Sequence, residues 1–444
     1  MLSQVSSNSL SASLDDALRL VININNLKPI PAKNFEITDK YILGQALFYD
    51  PILSGNRDVS CSTCHLVEYG MSDGLTLSIG TGGIGKGPSR SLGTSRELHQ
   101  KNSLDLFNRD HNDVLYMFWD GRIDAKKNEA GQFITPLLSD LPNDLENLMA
   151  VQAMFPLITH DEMLGYKGDL SSPELPTDHQ DKPNEIVGVL DMNGIAFVNS
   201  QNIYAEIMKR LLGNDDKIEY QNEYAKLFEK AFPNKKAFSI ADVGNALSHF
   251  MEIAFASRDS LWDRYLKGDL QSLTVNQKNG ALIFYGKGRC AVCHSGETFS
   301  DYQFHSVGVR DTDTAIFNDE RDTGRYAVTG NDLDLYKFRT PPLRNSTKSS
   351  PYFHNGTSSS LLDVIEQHNE PARYLHQYHE SGKYLINAEQ ISRISPILRS
   401  GLNLSEQEIN YLVDFLFALE NINEEGFLEK IVPENVPSGL SFFH

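Results

Sequence analysis

The sequence lacks any long apolar run and is poor in positive charge. No stretch of its 444 residues reaches the roughly 18 consecutive apolar residues of a membrane span. Residues 1–20 also lack the basic start and apolar centre of a secretory signal. The 40 lysines and arginines are outnumbered by 59 acidic residues, which gives a formal net charge of −19. This balance argues against nucleic acid and anionic membrane surfaces as partners, whereas a basic protein partner would be attracted.

Cysteine is equally scarce, and its four copies fall into two pentapeptides of identical spacing. They contain Cys61, Cys64 and His65, and Cys290, Cys293 and His294. A lone C-x-x-C can be half of a zinc site or a redox dithiol, but a zinc site pools its ligands and a dithiol needs no trailing histidine. C-x-x-C-H is the attachment signature of c-type haem, in which both thiols bond to the vinyl groups and the histidine ligates iron. We therefore predict two covalently bound haem c groups.

The haem prediction also bears on the cellular compartment. No cysteine is left over, so no disulfide can report on the redox compartment. Haem c is attached outside the cytoplasm. We therefore expect a periplasmic protein whose signal peptide or anchor is missing from this sequence.

Helical periodicity is the main secondary-structure signal. Apolar residues recur at three and four positions in Leu14–Val21, Thr38–Phe48, Asp144–Met154, Asn199–Phe232, Ser239–Lys267 and Thr274–Gly286. Strand signals are short, at 196–198 and 304–309, and the serine-rich opening at 2–13 is predicted to be a loose tail. These patterns predict a mainly α fold with long loops and few short strands.

One arrangement occurs twice along the chain: a helix, a C-x-x-C-H motif and a glycine-containing loop. The repeat predicts two cytochrome c-like domains, each holding one covalent haem c. We place the N-terminal tail and helix at 1–30, the first domain at 31–255 and the second at 256–444. The boundary thus falls inside the helical pattern of Ser239–Lys267.

Segments outside the two pentapeptides resemble the bacterial di-haem cytochrome c peroxidase and MauG superfamily, from about Gly44 to Ala418. They are Leu47–Gly55, Phe118–Arg122, Phe299–Asp301, Arg339–Asn345 and Pro351–Gly356. By this resemblance the first haem, with His65 as proximal ligand, reacts with peroxide. The second, with His294, is the electron-transfer centre.

The first haem is expected to be open to peroxide. Conventional peroxidases of the family carry a histidine after an isoleucine-glycine pair, and it blocks this iron until the second haem is reduced. Here Ile79 and Gly80 are followed by Thr81, whose hydroxyl is a poor iron ligand. Open access to peroxide is what MauG-like members show. The alternative is that another histidine, His99 or His111, ligates this iron.

The segment from Gln152 to Met163 resembles the distal-pocket signature of MauG-like members. Cleavage of the peroxide O–O bond needs a group that takes a proton from one oxygen and returns it to the other, which a carboxylate in an apolar pocket can do. The resemblance makes Glu162 this acid–base residue, Gln152 a hydrogen-bonding residue and Pro156 part of the wall. His160 is expected at the rim. The alternative for Glu162 is a solvated surface carboxylate.

The second haem takes its distal ligand, in this family, from a helix after the Tyr-Phe-His-Asn-Gly stretch. Counting along Leu361–Asn369, the ligand position holds His368. Imidazole is a strong iron ligand, so the resemblance implies a bis-histidine second haem. The alternatives are a histidine on the helix surface, or His376 or His379 as ligand.

Trp119 is one of only two tryptophans and occupies the family position between the haems. The resemblance implies that its indole relays an electron hole between them. The alternative is packing in the protein core, which is common for tryptophan.

Calcium is in doubt as a further cofactor. The family binds it with an asparagine just after the Gly-Pro of the glycine-rich loop. At that position this chain has Arg90, a cation that would oppose Ca²⁺.

The resemblance implies an oxidoreductase that reacts with hydrogen peroxide and oxidises a secreted protein substrate by long-range electron transfer, as MauG-like and MbnH-like enzymes do. Thr81, the signature from Gln152 to Glu162 and the non-methionine ligand His368 favour this function. One alternative is a conventional cytochrome c peroxidase that draws electrons from a small cytochrome or other redox protein. Another is a di-haem electron carrier without catalysis.

Overall fold

The computed structural model describes residues 2–442 except 95, 138–139, 172–179, 188–199, 214–218, 311–321, 381–387 and 423–426. The helices are α1 Leu2–Ile24, α2 Asp39–Tyr49, α3 Cys61–Cys64, α4 Leu148–Gln152, α5 Ser200–Leu212, α6 Glu219–Ala231, α7 Ile240–Ala254, α8 Leu261–Leu266, α9 Val275–Tyr285, α10 Tyr326–Thr329, α11 Leu361–Asn369, α12 Pro371–Glu380, α13 Ala388–Ser392, α14 Pro396–Arg399, α15 Glu406–Phe417 and α16 Phe427–Ile431. The strands are β1 Tyr116–Met117, β2 Ile123–Lys127, β3 Phe133–Ile134, β4 Phe304–His305 and β5 Phe338–Arg339. The prediction of a mainly helical chain with few short strands is confirmed.

No helix in the described part of the chain has both the length and the apolar character needed to cross a membrane.

The chain divides into two compact units built from interleaved segments. The first-motif unit consists of Lys33–Asp110, Ile123–Ala256 and Glu424–His444. The second-motif unit consists of Met1–Ala32, His111–Arg122 and Ser257–Asn423. Each C-x-x-C-H motif therefore lies in its own unit. The predicted boundary at 255/256 lies next to a unit boundary, but the N-terminal helix groups with the second motif and the C-terminal residues with the first.

The core of the first-motif unit forms where α2 crosses α7. Thr38 caps α2, because its hydroxyl accepts a hydrogen bond from the Tyr41 amide at 3.1 Å. A Cβ atom on Gly44 would lie 2.0 Å from the Ala246 carbonyl oxygen. Only glycine therefore allows the two helices to approach this closely. The helix predicted at Thr38–Phe48 is confirmed within one residue at each end.

The second-motif unit repeats this arrangement with α9 and α15. Thr274 caps α9 in a capping box with Gln277. A Cβ on Gly280 would lie 1.9 Å from the Tyr411 carbonyl oxygen. Gly44 and Gly280 each occupy the sixth position of an 11-residue helix that precedes a C-x-x-C-H motif. The repeat seen in the sequence thus extends to the way each helix is packed.

The prediction of a loose tail at 2–13 is wrong, since α1 begins at Leu2. Serine costs only about 0.5 kcal/mol per residue relative to alanine in a helix, so a run of serines does not by itself prevent one. The later part of α1 is held in the second-motif unit. There the Asp15 carboxylate lies 2.7 Å from Lys278 Nζ and accepts a 2.8 Å hydrogen bond from the Tyr265 hydroxyl.

The continuous helix predicted over Ser239–Lys267 is also wrong, because it is divided into α7 and α8. Ser260 starts a new helix by accepting a hydrogen bond from the Asp263 amide at 3.1 Å. Asp263 in turn pairs with Arg344 at 2.7 and 2.9 Å. This buried contact from a distant part of the chain is not visible in the apolar spacing.

Other predicted elements are shorter than expected or fall outside the description. The helix predicted at Asp144–Met154 is reduced to α4, and the strand at 304–309 to β4. The pattern of Asn199–Phe232 gives α5 and α6, with 214–218 outside the described residues. The strand predicted at 196–198 also lies outside the described residues.

Candidate active site and haem attachment sites

The first C-x-x-C-H motif forms one helical turn, α3. The Ser60 amide donates to the Thr63 hydroxyl at 3.0 Å, which closes a capping box at the start of the turn. His65 follows directly, and its Nδ1 lies 2.9 Å from the Met71 carbonyl oxygen. A nitrogen that donates to a carbonyl carries the proton, so Nε2 keeps the lone pair that an iron ion requires. Burial lowers the pKa of His65, which favours the neutral imidazole.

The second motif places its histidine in the same way. His294 Nδ1 lies 3.1 Å from the Phe299 carbonyl oxygen. Burial, followed by the proximity of His368, lowers the pKa of His294 to about 4. The charge of His368 is thus part of the electrostatic surroundings of His294 within the second-motif unit.

His368 lies near the end of α11 and is oriented like a ligand. Its Nδ1 lies 2.8 Å from the Val364 carbonyl oxygen, one helical turn earlier, and burial lowers its pKa. The ring of Phe353 stacks against it, with ring centres 6.0 Å apart. His376 and His379, the competing candidates, have side chains outside the described part of the chain.

These residues fit two haem c groups better than a zinc or dithiol site. Burial raises the pKa of Cys61 and of Cys290 to about 12, so both groups are neutral thiols. Disulfide exchange needs a thiolate, and a zinc site would pool more ligands than the single cysteine pair that each motif supplies. A neutral thiol one turn from a second cysteine, followed by an imidazole with an available Nε2, is the arrangement that covalent haem attachment uses.

The two segments predicted to form the distal pocket of the first haem meet in the structure. The Thr81 amide donates to the Glu162 carbonyl oxygen at 3.0 Å. A Cβ on Gly80 would lie 2.1 Å from the Asp161 carbonyl oxygen, so glycine is required for this contact. The Cys64 sulfur lies 3.9 Å from the Ile79 carbonyl oxygen, which places this junction beside the first attachment site.

The Thr81 hydroxyl is fully used in hydrogen bonds with other side chains. It donates to Asp58 Oδ1 at 2.9 Å and accepts from Asn56 Nδ2 at 2.8 Å. Its only proton therefore goes to a carboxylate. This geometry supports the view that Thr81 does not ligate iron.

Glu162 pairs with His99, a contact that sequence reasoning missed. His99 Nε2 lies 2.8 Å from Glu162 Oε1, and both side chains are partly exposed. Burial alone would lower the pKa of His99, but the charge and hydrogen bond of Glu162 outweigh it and raise the pKa. The sequence suggested His99 only as an alternative iron ligand. The other alternative, His111, lies 2.9 Å from Glu297 in the second-motif unit.

Gln152, Pro156 and Glu162 lie on three successive short turns. Gln152 ends α4, Pro156 begins a 3₁₀ turn, and Glu162 lies in a π-helical turn at His160–Leu164. Such π-helical turns are rare in proteins, and those that occur often lie at functional sites. The ring of His160, in the same turn, stacks on the ring of Tyr166 with ring centres 5.1 Å apart.

Trp119 is buried in the second-motif unit. The Arg339 amide donates to the Trp119 carbonyl oxygen at 2.8 Å, and Arg339 Nε donates to that of Phe118 at 2.9 Å. The indole meets the edge of His354 at 6.4 Å between ring centres, and His354 stacks on Phe338 at 3.5 Å. These contacts of Trp119 are compatible both with packing in the core and with electron relay. The relay role stays a prediction.

Arg90 uses the carbonyl oxygens that a cation in the glycine-rich loop would need. Its guanidinium donates to the carbonyl oxygens of Ile79 at 2.8 Å, Gly80 at 2.7 Å and Gly85 at 2.8 Å. Calcium prefers such oxygen ligands, and here a protein cation holds them. The residues present therefore do not favour calcium at this loop.

Cys293, Asp301 and His305 form the one metal-like cluster found among the described residues. Their ligand atoms lie within 4.8 Å of one another. Because Cys293 belongs to the second C-x-x-C-H motif, we assign this cluster to the surroundings of the second haem.

Comparison with known proteins gives a consistent answer. Residues 38–271 match the family model described as di-haem cytochrome c peroxidase. The chain is 30% identical over 345 residues to cytochrome c551 peroxidase of Pseudomonas aeruginosa. This matched region covers 76% of this chain and 75% of that protein. The chain is also 27% identical over 340 residues to the methylamine utilization protein MauG of Methylorubrum extorquens, covering 77% and 71%.

A solved structure has the same fold over nearly the whole chain. It is that of a MauG-like protein associated with microbial copper homeostasis, with a TM-score of 0.59 and 24% identity, covering 94% of this chain and 96% of the other. The family resemblance noted in the sequence is therefore confirmed. The chain belongs to the di-haem cytochrome c peroxidase family and is a di-haem oxidoreductase of the peroxidase type.

Proposed function

We propose that this protein is a periplasmic oxidoreductase that reacts with hydrogen peroxide at an open first haem, without prior reduction, and takes electrons from a protein substrate. The observation that carries the proposal is that the Thr81 hydroxyl is engaged in hydrogen bonds with Asp58 and Asn56. The family alone does not decide this point, because the relatives include cytochrome c peroxidases as well as MauG.

The first haem would be held by Cys61 and Cys64, with His65 as the residue that would ligate its iron. When bound, the haem supplies the two electrons that reduce peroxide and regains them from the substrate. His65 keeps its Nε2 available because Nδ1 donates to the Met71 carbonyl. The chain's own task is to leave room for peroxide and to move protons.

Glu162 would carry the proton transfer. Its carboxylate accepts a proton from one peroxide oxygen and returns it to the other, so that cleavage of the O–O bond releases water. Gln152 would orient the peroxide by hydrogen bonding, and Pro156 would form part of the wall. The backbone contact between Thr81 and Glu162 supports this assignment, because it holds the carboxylate's segment beside the first attachment site.

The second haem would be held by Cys290 and Cys293, with His294 and His368 as the residues that would ligate its iron. Their Nδ1 atoms both donate to backbone carbonyls, which leaves two Nε2 atoms for one iron. Two imidazoles give a lower potential than a methionine ligand, which favours passing electrons on over storing them. Each haem would then lie in its own cytochrome c-like domain, with Trp119 as the relay.

The protein substrate is expected to present positive charge. The net charge of −19 would attract a basic surface and repel nucleic acid and anionic lipid. A secreted protein or a small redox protein would fit this requirement.

The second candidate function is a conventional cytochrome c peroxidase. The 30% identity to cytochrome c551 peroxidase over 345 residues favours it. In that case the protein should turn over with reduced cytochrome c at rates of about 10 per second, the range usual for enzymes. A carrier without catalysis should show neither reaction.

The experiment compares wild type with Glu162→Gln in stopped-flow absorption. Peroxide added to the fully ferric wild-type protein should change the Soret and near-infrared spectrum. Glu162→Gln should slow this change by roughly 10²- to 10⁴-fold while both haems stay bound. No spectral change in the ferric wild type, together with fast turnover of reduced cytochrome c, would replace the proposal by the conventional peroxidase.

A further inference from the structure

We propose that His99 and Glu162 form a proton-sharing pair, in which the imidazole positions the carboxylate and stores the proton that the carboxylate gives up. The proposal rests on the proposed function, since it gives Glu162 a partner in the peroxide reaction. His99 is a positioning residue in this scheme, because it acts through Glu162.

The pair is held from both sides by backbone contacts. The His99 amide donates to the Ser78 carbonyl oxygen at 2.9 Å, and the Thr81 amide donates to the Glu162 carbonyl oxygen at 3.0 Å. The short loop from Ser78 to Thr81 therefore joins both partners. The 2.8 Å contact between Nε2 and Oε1 thus joins two segments whose backbones are both hydrogen-bonded to this loop.

The hydrogen bonds around the imidazole bear on how many protons the pair contains. His99 Nδ1 lies 3.1 Å from the Lys101 carbonyl oxygen, and the Lys101 amide nitrogen lies 3.3 Å from the same Nδ1. In the proposal the closer contact is made by a proton on Nδ1. The contact between Nε2 and Oε1 then needs one more proton, which is either on the imidazole or on the carboxyl group. In both forms the pair holds one proton beyond the neutral imidazole and the carboxylate.

Neighbouring charges favour storage of that proton on the imidazole. The charge of Glu162 raises the pKa of His99, while the charge of Lys101 opposes it. Cys64 and His65 are the ionisable groups on the first-motif turn that feel the charge of Glu162. The loop that contacts Glu162 through the Thr81 amide also contacts the Cys64 sulfur through the Ile79 carbonyl oxygen, which places the segment of Glu162 beside the first attachment site.

The proton count of the reaction balances with this pair. One peroxide molecule takes up two electrons and two protons and gives two water molecules. The electrons come from the protein substrate of the proposed function, and the protons come from solvent by way of the pair. When the proton of the pair is on His99 Nε2, the Glu162 carboxylate is free to take a proton from one peroxide oxygen and to return it to the other, so it acts first as base and then as acid without exchange with solvent between the two steps.

The test uses the ferric holoprotein and the variants His99→Gln, His99→Ala and Glu162→Gln. Infrared difference spectra across a pH series follow the C=O stretch of the Glu162 carboxyl, identified as the band that Glu162→Gln removes. This band should persist to higher pH in both His99 variants than in wild type, because the carboxylate has lost its cationic partner. His160→Gln is the matched control and should leave the band unchanged, since His160 stacks on Tyr166.

Kinetics supply the second measurement. His99→Gln should slow the reaction with peroxide by about tenfold, less than the roughly 10²- to 10⁴-fold of an acid–base group itself because His99 acts through Glu162, and should alter its pH profile. The double variant His99→Gln with Glu162→Gln should be no slower than Glu162→Gln alone, because the two residues act as one unit.

Three results would overturn the proposal. The first is an infrared band that titrates alike in wild type and in both His99 variants, and the second is a double variant that loses the product of the two single effects. The third is a change of the first haem from low-spin to high-spin in His99→Ala, which would make His99 an iron ligand. If wild-type ferric protein does not react with peroxide, the proposed function fails, but the infrared measurement still tests the pair.

Discussion

Thr81→Val separates the two roles that Thr81 could have, which are binding iron and organising the loop. Valine has nearly the same shape as threonine but no hydroxyl. The variant removes the 2.9 Å hydrogen bond to Asp58 and the 2.8 Å hydrogen bond from Asn56. A hydrogen bond to a charged group contributes about 1.5–3 kcal/mol and one between neutral groups about 1 kcal/mol. We expect the free energy of unfolding of the first-motif unit to fall by about 3 kcal/mol.

The loss in Thr81→Val should depend on pH, with a sign set by Asp58. Burial raises the pKa of Asp58, and the hydrogen bonds from the Gly82 amide and Thr81 counter this rise. Without the hydroxyl the pKa rises further, so the folded state binds a proton that the unfolded state has released. Stability then falls as pH rises above the unfolded value. The difference between wild type and variant should therefore be larger near neutral pH than in weak acid.

The assay is urea unfolding of the ferric holoprotein near neutral pH and in weak acid. Thr81→Ser is the control, because it keeps a hydroxyl. In the same samples the reaction of Thr81→Val with peroxide should stay within a few-fold of wild type, since no iron ligand is removed. A change in the spin state of the ferric first haem, or a stability loss that does not depend on pH, would refute the reasoning.

Three further predictions concern the second haem, a charged pair and calcium. His368→Ala should turn the second haem from low-spin to high-spin in its absorption spectrum, and an unchanged spectrum would show that another residue ligates this iron. Asp301 first and Cys293 second raise the pKa of His305 to about 9. The pairing of His305 with Asp301 therefore stabilises the fold fully below about pH 6.5 and loses this effect as pH rises through the raised pKa. In Asp301→Asn the melting temperature should no longer show that pH dependence. His305 is unaltered in this variant, so the change reports the loss of the carboxylate alone. Removal of calcium by a chelator should change neither the melting temperature nor the peroxide reaction, because Arg90 holds the loop carbonyls, and a loss restored by added Ca²⁺ would contradict this.

Local sequence signals predicted the parts of the fold that depend on local physics. Thr38 and Thr274 cap α2 and α9 at the positions where the apolar spacing begins. The two C-x-x-C-H motifs predict haem attachment from their spacing, because this spacing brings two thiols and an imidazole onto one turn. The resemblance to the family added Thr81 and Glu162, which the structure brings together.

Contacts between distant segments account for what the sequence did not predict. α8 begins at the capping box of Ser260 and Asp263, and Asp263 also pairs with Arg344, a contact that no periodicity reveals. The hydrogen bond between His99 and Glu162 is likewise a long-range contact, and a histidine alone does not indicate its partner. The loop cation Arg90 could be identified from its position, but its three carbonyl partners could not.

The most direct test of the open first haem is the ratio of two rate constants for peroxide, one measured on fully ferric protein and one on protein whose second haem has first been reduced. The account predicts that the ferric protein reacts at a rate comparable to the reduced one, because no side chain must leave the first iron. A ferric protein that stays unchanged in peroxide until the second haem is reduced would contradict it.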